Sequence, residues 1–186
     1  RAANLLFDVD MEILRKSCRW LERLNEFAGL YRTINTNLSD QSLQHPELAR
    51  RIKNITGQYR INPSQIRFEL TEDDLLLEDR VLSNLKEIHA MGHLLIADDY
   101  FAGSCNMERA TILQHYFPGF GVKFDQSVVM NLPGQSAAEQ IMEHYHELKQ
   151  LGVGSVTMEG VENQQLPWFM EHFSQNPSVR LQGYAL

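Results

Sequence analysis

Residues 93–99 read His93-Leu94-Leu95-Ile96-Ala97-Asp98-Asp99, an apolar run that stops on two carboxylates. A short apolar run bounded by a turn residue, here Gly92, reads as a strand buried on both faces, the kind that parallel sheets use. A helix precedes it, because Val81, Leu85 and Ile88 recur at helical spacing, and a shorter helix from Met107 to Leu113 follows it. Helix, buried strand and helix in succession form the repeating unit of a parallel β/α fold.

The same grammar extends in both directions. Upstream, Met11, Leu14, Cys18 and Leu21 stripe a helix over residues 8–28 that Gly29 ends. Residues 31–38 alternate as a strand. Pro46 opens a helix whose buried stripe is Leu48, Ile52 and Ile55, and Gly57 closes it. Asn62-Pro63-Ser64 turns the chain into a strand in which Ile66, Phe68 and Leu70 alternate. Downstream, Pro118-Gly119 leads into a strand from Val122 to Asp125. Ile141, Tyr145 and Leu148 then stripe a helix that Gly152 ends. Val156 to Glu159 reads as strand, Gln164 to Phe173 as helix and Val179 to Tyr184 as strand. The expected fold class is therefore α/β, a TIM-type (β/α) barrel, as one domain over residues 1–186. A complete barrel has eight strands and typically about 250 residues. Six strong βα-type repeats in 186 residues predict a barrel incomplete at the N-terminus and a domain cut at both ends.

How the strands end points to chemistry. They close on Asn37, Glu69, Asp98 with Asp99, Lys123, Glu159 and Gln182. A parallel barrel carries all its strand C-termini on one face, where its active site lies. Carboxylates gathered there repel one another unless protonated or neutralised by cations. Divalent metal is the simplest neutraliser, and oxygen-only ligands favour Mg²⁺ or Mn²⁺ over zinc. An adjacent aspartate pair suits a two-metal phosphodiester site, with ions about 3.5–4 Å apart. Neighbours on a strand point to opposite faces, so the backbone must bend for both carboxylates to reach one site. Taken alone, the pair also fits the start of a solvated loop. Lys123 either snorkels to the surface or orients a water and offsets phosphate charge. Asp125 pairs with Lys123 or with the backbone.

The bulk properties narrow the choice. A formal net charge of −7 argues against non-specific duplex binding, which needs clustered Lys and Arg. Cys18 and Cys105 lack metal or redox spacing and read as free thiols in a reducing compartment. Gly92 separates His89 from His93, and His144 and His146 diverge on a helix, so no zinc site is expected. Trp20 and Trp168 lie in helical patterns and read as packing residues. No apolar run of about 18 residues and no signal-peptide pattern occurs. The expected location is the cytoplasm, or the cytoplasmic part of a membrane protein.

Six motifs, in order, then point to a family. They are Thr36-Asn37-Leu38-Ser39, Glu69-Leu70-Thr71-Glu72, Asp98-Asp99-Tyr100, Val122-Lys123-Phe124-Asp125, Glu159-Gly160-Val161-Glu162 and Gln182-Gly183-Tyr184. Over residues 8–186 the chain resembles the EAL-domain phosphodiesterases of bacterial cyclic di-GMP signalling. Their patterns at these places are Asn-Leu-Ser, Glu-hydrophobic-Thr-Glu, Asp-Asp-Phe, Lys-Ile-Asp, Glu-Gly-Val-Glu and Gln-Gly-Tyr. The resemblance implies a modified barrel whose first strand runs antiparallel, and metal-dependent opening of one phosphodiester of cyclic di-GMP to give linear pGpG. It assigns Asn37, Glu69, Asp98 and Asp99 to a two-metal site for Mg²⁺ or Mn²⁺, with Asp98 bridging. By the same resemblance Lys123 and Glu159 are catalytic, Gln182 binds substrate, and Glu72 supports the loop after Asp99. It further implies a homodimer, with an attached sensory or GGDEF-type domain outside this stretch.

Two departures qualify the match. The Glu-Ala-Leu motif that names the family would lie before residue 1. The loop that reads Asp-Asp-Phe-Gly-Thr-Gly in the family reads Asp98-Asp99-Tyr100-Phe101-Ala102-Gly103 here. Phenylalanine in place of glycine removes access to positive φ. The alternative function is thus a catalytically impaired cyclic di-GMP receptor or protein-interaction regulatory module.

Overall fold

The helical stripes read from the sequence are the faces that the fold buries. The computed structural model describes residues 5–28, 32–70, 78–100 and 107–184. The chain divides into two compact units, Arg1–Leu95 and Ile96–Leu186.

In the first unit, α1 (Leu5–Ala28) buries Met11, Leu14, Cys18 and Leu21 completely. Burial pushes the Cys18 thiol up to about 12, which leaves it protonated and inert. Cys105 lies outside the described residues. The chain continues into β1 (Ile34–Asn37), the single-turn helix α2 (Asp40–Leu43) and α3 (Leu48–Thr56). Pro46 precedes α3 rather than opening it, and Glu47 takes the N-cap position. A 3-10 turn at Pro63–Gln65 leads into β2 (Ile66–Leu70), and α4 (Asp79–Ala90) follows. The stripes Leu48, Ile52, Ile55 and Val81, Leu85, Ile88 are all buried, and α3 packs against both α1 and α4. Strands β1 and β2 pair in parallel, with Asn35 opposite Arg67 and Asn37 opposite Glu69.

The second unit holds β3 (Leu94–Tyr100) from Ile96 onward, then α5 (Met107–Tyr116) and β4 (Gly121–Phe124). It continues with α6 (Gln126–Val129), α7 (Gln135–Leu151), β5 (Ser155–Met158), α8 (Leu166–Phe173) and β6 (Val179–Leu181). The pairs β3–β4, β4–β5 and β5–β6 are all parallel. Ile141, Tyr145 and Leu148 face inward on α7, and Gly152 ends that helix in the left-handed conformation at φ +94°.

Both short helices, α2 and α6, escaped the periodicity reading because one turn is too short to show a period. Each is set by a cap instead. Asp10 Oδ2 on α1 accepts from the Ser39 N–H at 2.9 Å, the Ser39 hydroxyl at 2.7 Å and the Ser42 hydroxyl at 2.6 Å. Asp125 Oδ1 accepts from the Ser127 N–H at 2.8 Å, so Asp125 serves the backbone. One packing expectation fails. Trp20 is 54% exposed, on the face of α1 opposite the core, whereas Trp168 is half-buried and stacks on His172.

His93, just before β3, is buried against the edge of Phe68, with Nδ1 3.3 Å from the Ile66 carbonyl and no hydrogen-bond partner at Nε2. Desolvation lowers its pKa from the ordinary 6.5, so it stays neutral in the fold. The unfolded chain takes up that proton near pH 6.5, so the neutral ring's contribution is complete above this value and is lost as pH falls toward the folded pKa. Thermal melts from pH 8 to 5 should therefore show a steeper loss of stability for the native chain than for His93→Leu. Parallel curves would mean that the ring is not buried neutral.

Candidate active site

A strand buried on both faces must still partner whatever polar groups it carries. In β4 all four residues are buried, with Val122 and Phe124 on one face and Gly121 and Lys123 on the other. In register beside it, Val156 and Met158 of β5 continue the apolar face, and Ser155 and Thr157 continue the polar one. The same phase carries past the strand to Glu159, whose N–H extends the ladder to the Phe124 carbonyl at 3.1 Å. Period-two alternation thus brings Lys123 and Glu159 to one side.

Asp98 and Asp99 join them through a break in β3. Ala97 pairs with Val122 and Tyr100 with Phe124, so two residues, Asp98 and Asp99, stand opposite Lys123 alone. This is a β-bulge, which re-aims side chains. Asp99 supplies the extra residue in the left-handed region at φ +53°, a conformation aspartate tolerates better than most residues. Its N–H bonds Asp98 Oδ1 at 3.0 Å. Beyond the bulge Tyr100 regains the apolar phase and stacks on Phe124.

The outcome is a compact charge cluster. Lys123 Nζ lies 2.9 Å from Asp98 Oδ1 and 2.7 Å from Glu159 Oε1, with its side chain 5% exposed and the carboxylates 16% and 18%. Asp98, Asp99 and Glu159 each offer an oxygen, all within 4.8 Å of one another. Lys123 does not snorkel to the surface. It is an ammonium held between the carboxylates of Asp98 and Glu159, and the oxygen donors of Asp98, Asp99 and Glu159 suit a hard divalent cation.

Gln182 follows β6, with its side chain exposed. Its backbone is the anchored part: the Gln182 N–H bonds the Met158 carbonyl at 2.9 Å, and its carbonyl accepts from Val161 at 3.0 Å. Gly183 makes that approach possible, since a Cβ there would stand 2.0 Å from the Val161 carbonyl oxygen. The Glu-Gly-Val-Glu and Gln-Gly-Tyr stretches therefore dock on each other through backbone. A cleft of about 480 Å³ opens beside them, lined by Glu162, Asn163, Gln164 and Tyr184. Sequence reading missed the fully buried Gln165, which accepts from the Glu162 N–H at 3.1 Å and holds this loop. Its only signal was its place three residues after Glu162.

In the first unit Asn37 and Glu69 end their strands side by side, Asn37 exposed and Glu69 9% exposed. Asn35, also missed, donates to Glu69 Oε1 at 2.7 Å. Glu72, Phe101 and Ala102 lie outside the described residues.

Comparison with known proteins fits this layout. The family model for the EAL domain matches residues 1–184. The chain is 25% identical over 163 residues to the probable cyclic di-GMP phosphodiesterase PdeA of Escherichia coli, and 30% identical over 142 residues to the cyclic di-GMP phosphodiesterase RocR of Pseudomonas aeruginosa. These alignments cover 87% and 74% of the chain but only 22% and 35% of the relatives' own lengths. Among solved structures, the PaMucR phosphodiesterase in a c-di-GMP complex superposes with a TM-score of 0.80 at 22% identity, over 98% of this chain and 72% of that one. A manganese/cy-diGMP complex of Klebsiella pneumoniae BlrP1 gives 0.71 at 21% identity, over 94% of this chain and 44% of that one. The fold is the EAL kind of TIM-type (β/α) barrel, represented by six strands among the described residues.

Removing one partner from a fully buried ion pair costs about 3–5 kcal/mol. The partial exposure of both carboxylates lowers the figure for Lys123→Met to about 2 kcal/mol, since water screens them in part. Urea unfolding in the presence of a chelator measures this, and an unchanged midpoint would show that the ammonium does not offset the cluster's charge.

Proposed function

Because the chain belongs to the EAL-domain family, we propose that it hydrolyses cyclic di-GMP to linear pGpG with the aid of Mg²⁺ or Mn²⁺. One observation carries the reading: a buried lysine paired to Asp98 and Glu159, with Asp99 turned into the same cluster by a bulge. A purely structural ion pair needs one carboxylate, and a third brought beside the pair at positive φ supports a site that holds something more.

In this reading Asn37, Glu69, Asp98 and Asp99 would hold the metal. Bound metal would polarise the phosphate and lower the pKa of a coordinated water. Glu159 accepts the proton of the attacking water, and Lys123 keeps Glu159 oriented and offsets charge on the phosphoryl oxygens. The water oxygen bonds to phosphorus as one P–O bond of the cyclic dinucleotide breaks, the released ribose oxygen takes a proton from solvent, and Glu159 returns its own proton to solvent. Gln182 orients the substrate, and Glu72 supports the loop after Asp99. The reading includes a homodimer and a cytoplasmic setting, with a sensory or GGDEF-type domain attached. The relatives' greater length supports the last point. Among the described residues no helix is long and apolar enough to cross a membrane.

The second reading, a receptor that binds cyclic di-GMP without turnover, draws on Phe101 and Ala102 where the family has glycine and threonine. One experiment separates the two. The protein is incubated with cyclic di-GMP and Mn²⁺, and the nucleotides are resolved by chromatography alongside a binding titration. Turnover to pGpG supports the enzyme, binding without product supports the receptor, and neither result would sink both. If the enzyme reading holds, Glu159→Gln should lower kcat by about 10²-fold or more with binding retained. Asp98→Asn should weaken Mn²⁺ binding more than any other single change in the chain, as read by calorimetry.

A further inference from the structure

Asn35 lies outside every motif that carries the family resemblance, yet it touches a residue inside one. It sits on β1 two residues before Asn37, and the two share a face of the strand. In the β1–β2 register Asn35 stands opposite Arg67, and Asn37 opposite Glu69. The Asn35 side chain reaches diagonally across the pair, and Nδ2 donates to Glu69 Oε1 at 2.7 Å. Diagonal neighbours on paired strands are within reach of a side chain of this length.

We propose that Asn35 is a positioning residue for metal binding, fixing the orientation of the Glu69 carboxylate through this hydrogen bond. The inference rests on the reading of Glu69 as a metal ligand. A ligand carboxylate that rotates freely loses entropy when an ion binds. One already clamped does not, which is why the partners of metal ligands govern affinity. The bond is short and joins two rigid strands, so the clamp is in place before any ion arrives. Arg67, 4% exposed in the same layer and with no hydrogen-bond partner at Nε, adds positive charge beside Asn35 on the adjacent strand.

The test is Mn²⁺ titration by calorimetry on the native chain, Asn35→Leu, Asn35→Ser and Glu69→Gln, with melting temperatures recorded in chelator. Removing an outer partner of a metal ligand typically costs about 10–100-fold in affinity. Asn35→Leu and Asn35→Ser should therefore bind Mn²⁺ at least about tenfold more weakly with a near-native melting temperature. In hydrolysis assays the Mn²⁺ concentration for half-maximal rate should rise by the same factor, while kcat at saturating Mn²⁺ stays within about twofold, a split that loss of fold would not give. If Asn35→Leu folds poorly, Asn35→Ser, which loses volume but adds no apolar bulk, carries the measurement. Native affinity in both variants overturns the proposal, and so does tighter binding, which would mean that Asn35 competes with the ion for Glu69. Affinity unchanged in Glu69→Gln, or no Mn²⁺ binding by the native chain, removes the metal reading itself.

Discussion

An ammonium group taken out of water loses several kcal/mol of solvation unless anions meet it. Lys123 is 4% exposed in the middle of a parallel sheet, so anions have to be supplied where its side chain ends. Asp98 and Glu159 supply them, and each arrives by a different route. Glu159 follows from simple alternation beyond β5. Asp98 arrives with Asp99 through an irregularity in β3. Much of the local architecture follows from the need to place these groups. A Cβ at Gly121 would come within 2.8 Å of the Ser155 hydroxyl on the same polar face, so a larger residue there would displace that hydroxyl. The loop after Glu159 is pinned by Gln165 and by the backbone of Gln182.

The β/α alternation was legible because burial on both faces leaves a strong trace. Runs such as 94–97 have no polar residue at which to doubt the strand, and stripes such as Leu48, Ile52 and Ile55 have the period of one helical face. The ends of strands were legible as chemistry because a lone polar residue after such a run needs a reason. Other parts left a weaker trace. The turns α2 and α6 depend on single caps, Ser39 with Asp10 and Asp125 with Ser127, and Asp10 lies 29 residues from Ser39. Trp20 sat in a helical pattern, but helical spacing alone does not distinguish the inward stripe from the outward one.

The site shows the same division. That Asp98 and Asp99 converge was open from sequence, because alternation alone sends them to opposite faces. Only the register across β4 reveals the bulge that reconciles them. Asn35 was invisible as a site residue for a related reason. An asparagine in a short strand reads as an edge or turn residue, and its partner Glu69 lies 34 positions away. The contact follows from the parallel register of β1 and β2, and register across a pair of strands is not written in either strand alone.

The bulge in β3 also makes the chain unusually tolerant of one kind of genetic error. In a regular parallel strand, losing a residue inverts the facing of everything after it, and the core is lost with it. Here Tyr100 has already been set back into phase by the extra residue. A frame-preserving deletion of the Asp99 codon would leave Tyr100 directly opposite Phe124 in an unbroken ladder, with the core phase intact. The product would be a well-formed sheet with one carboxylate fewer. In a population of such sequences, a folded descendant with a smaller acidic cluster therefore lies a single codon away.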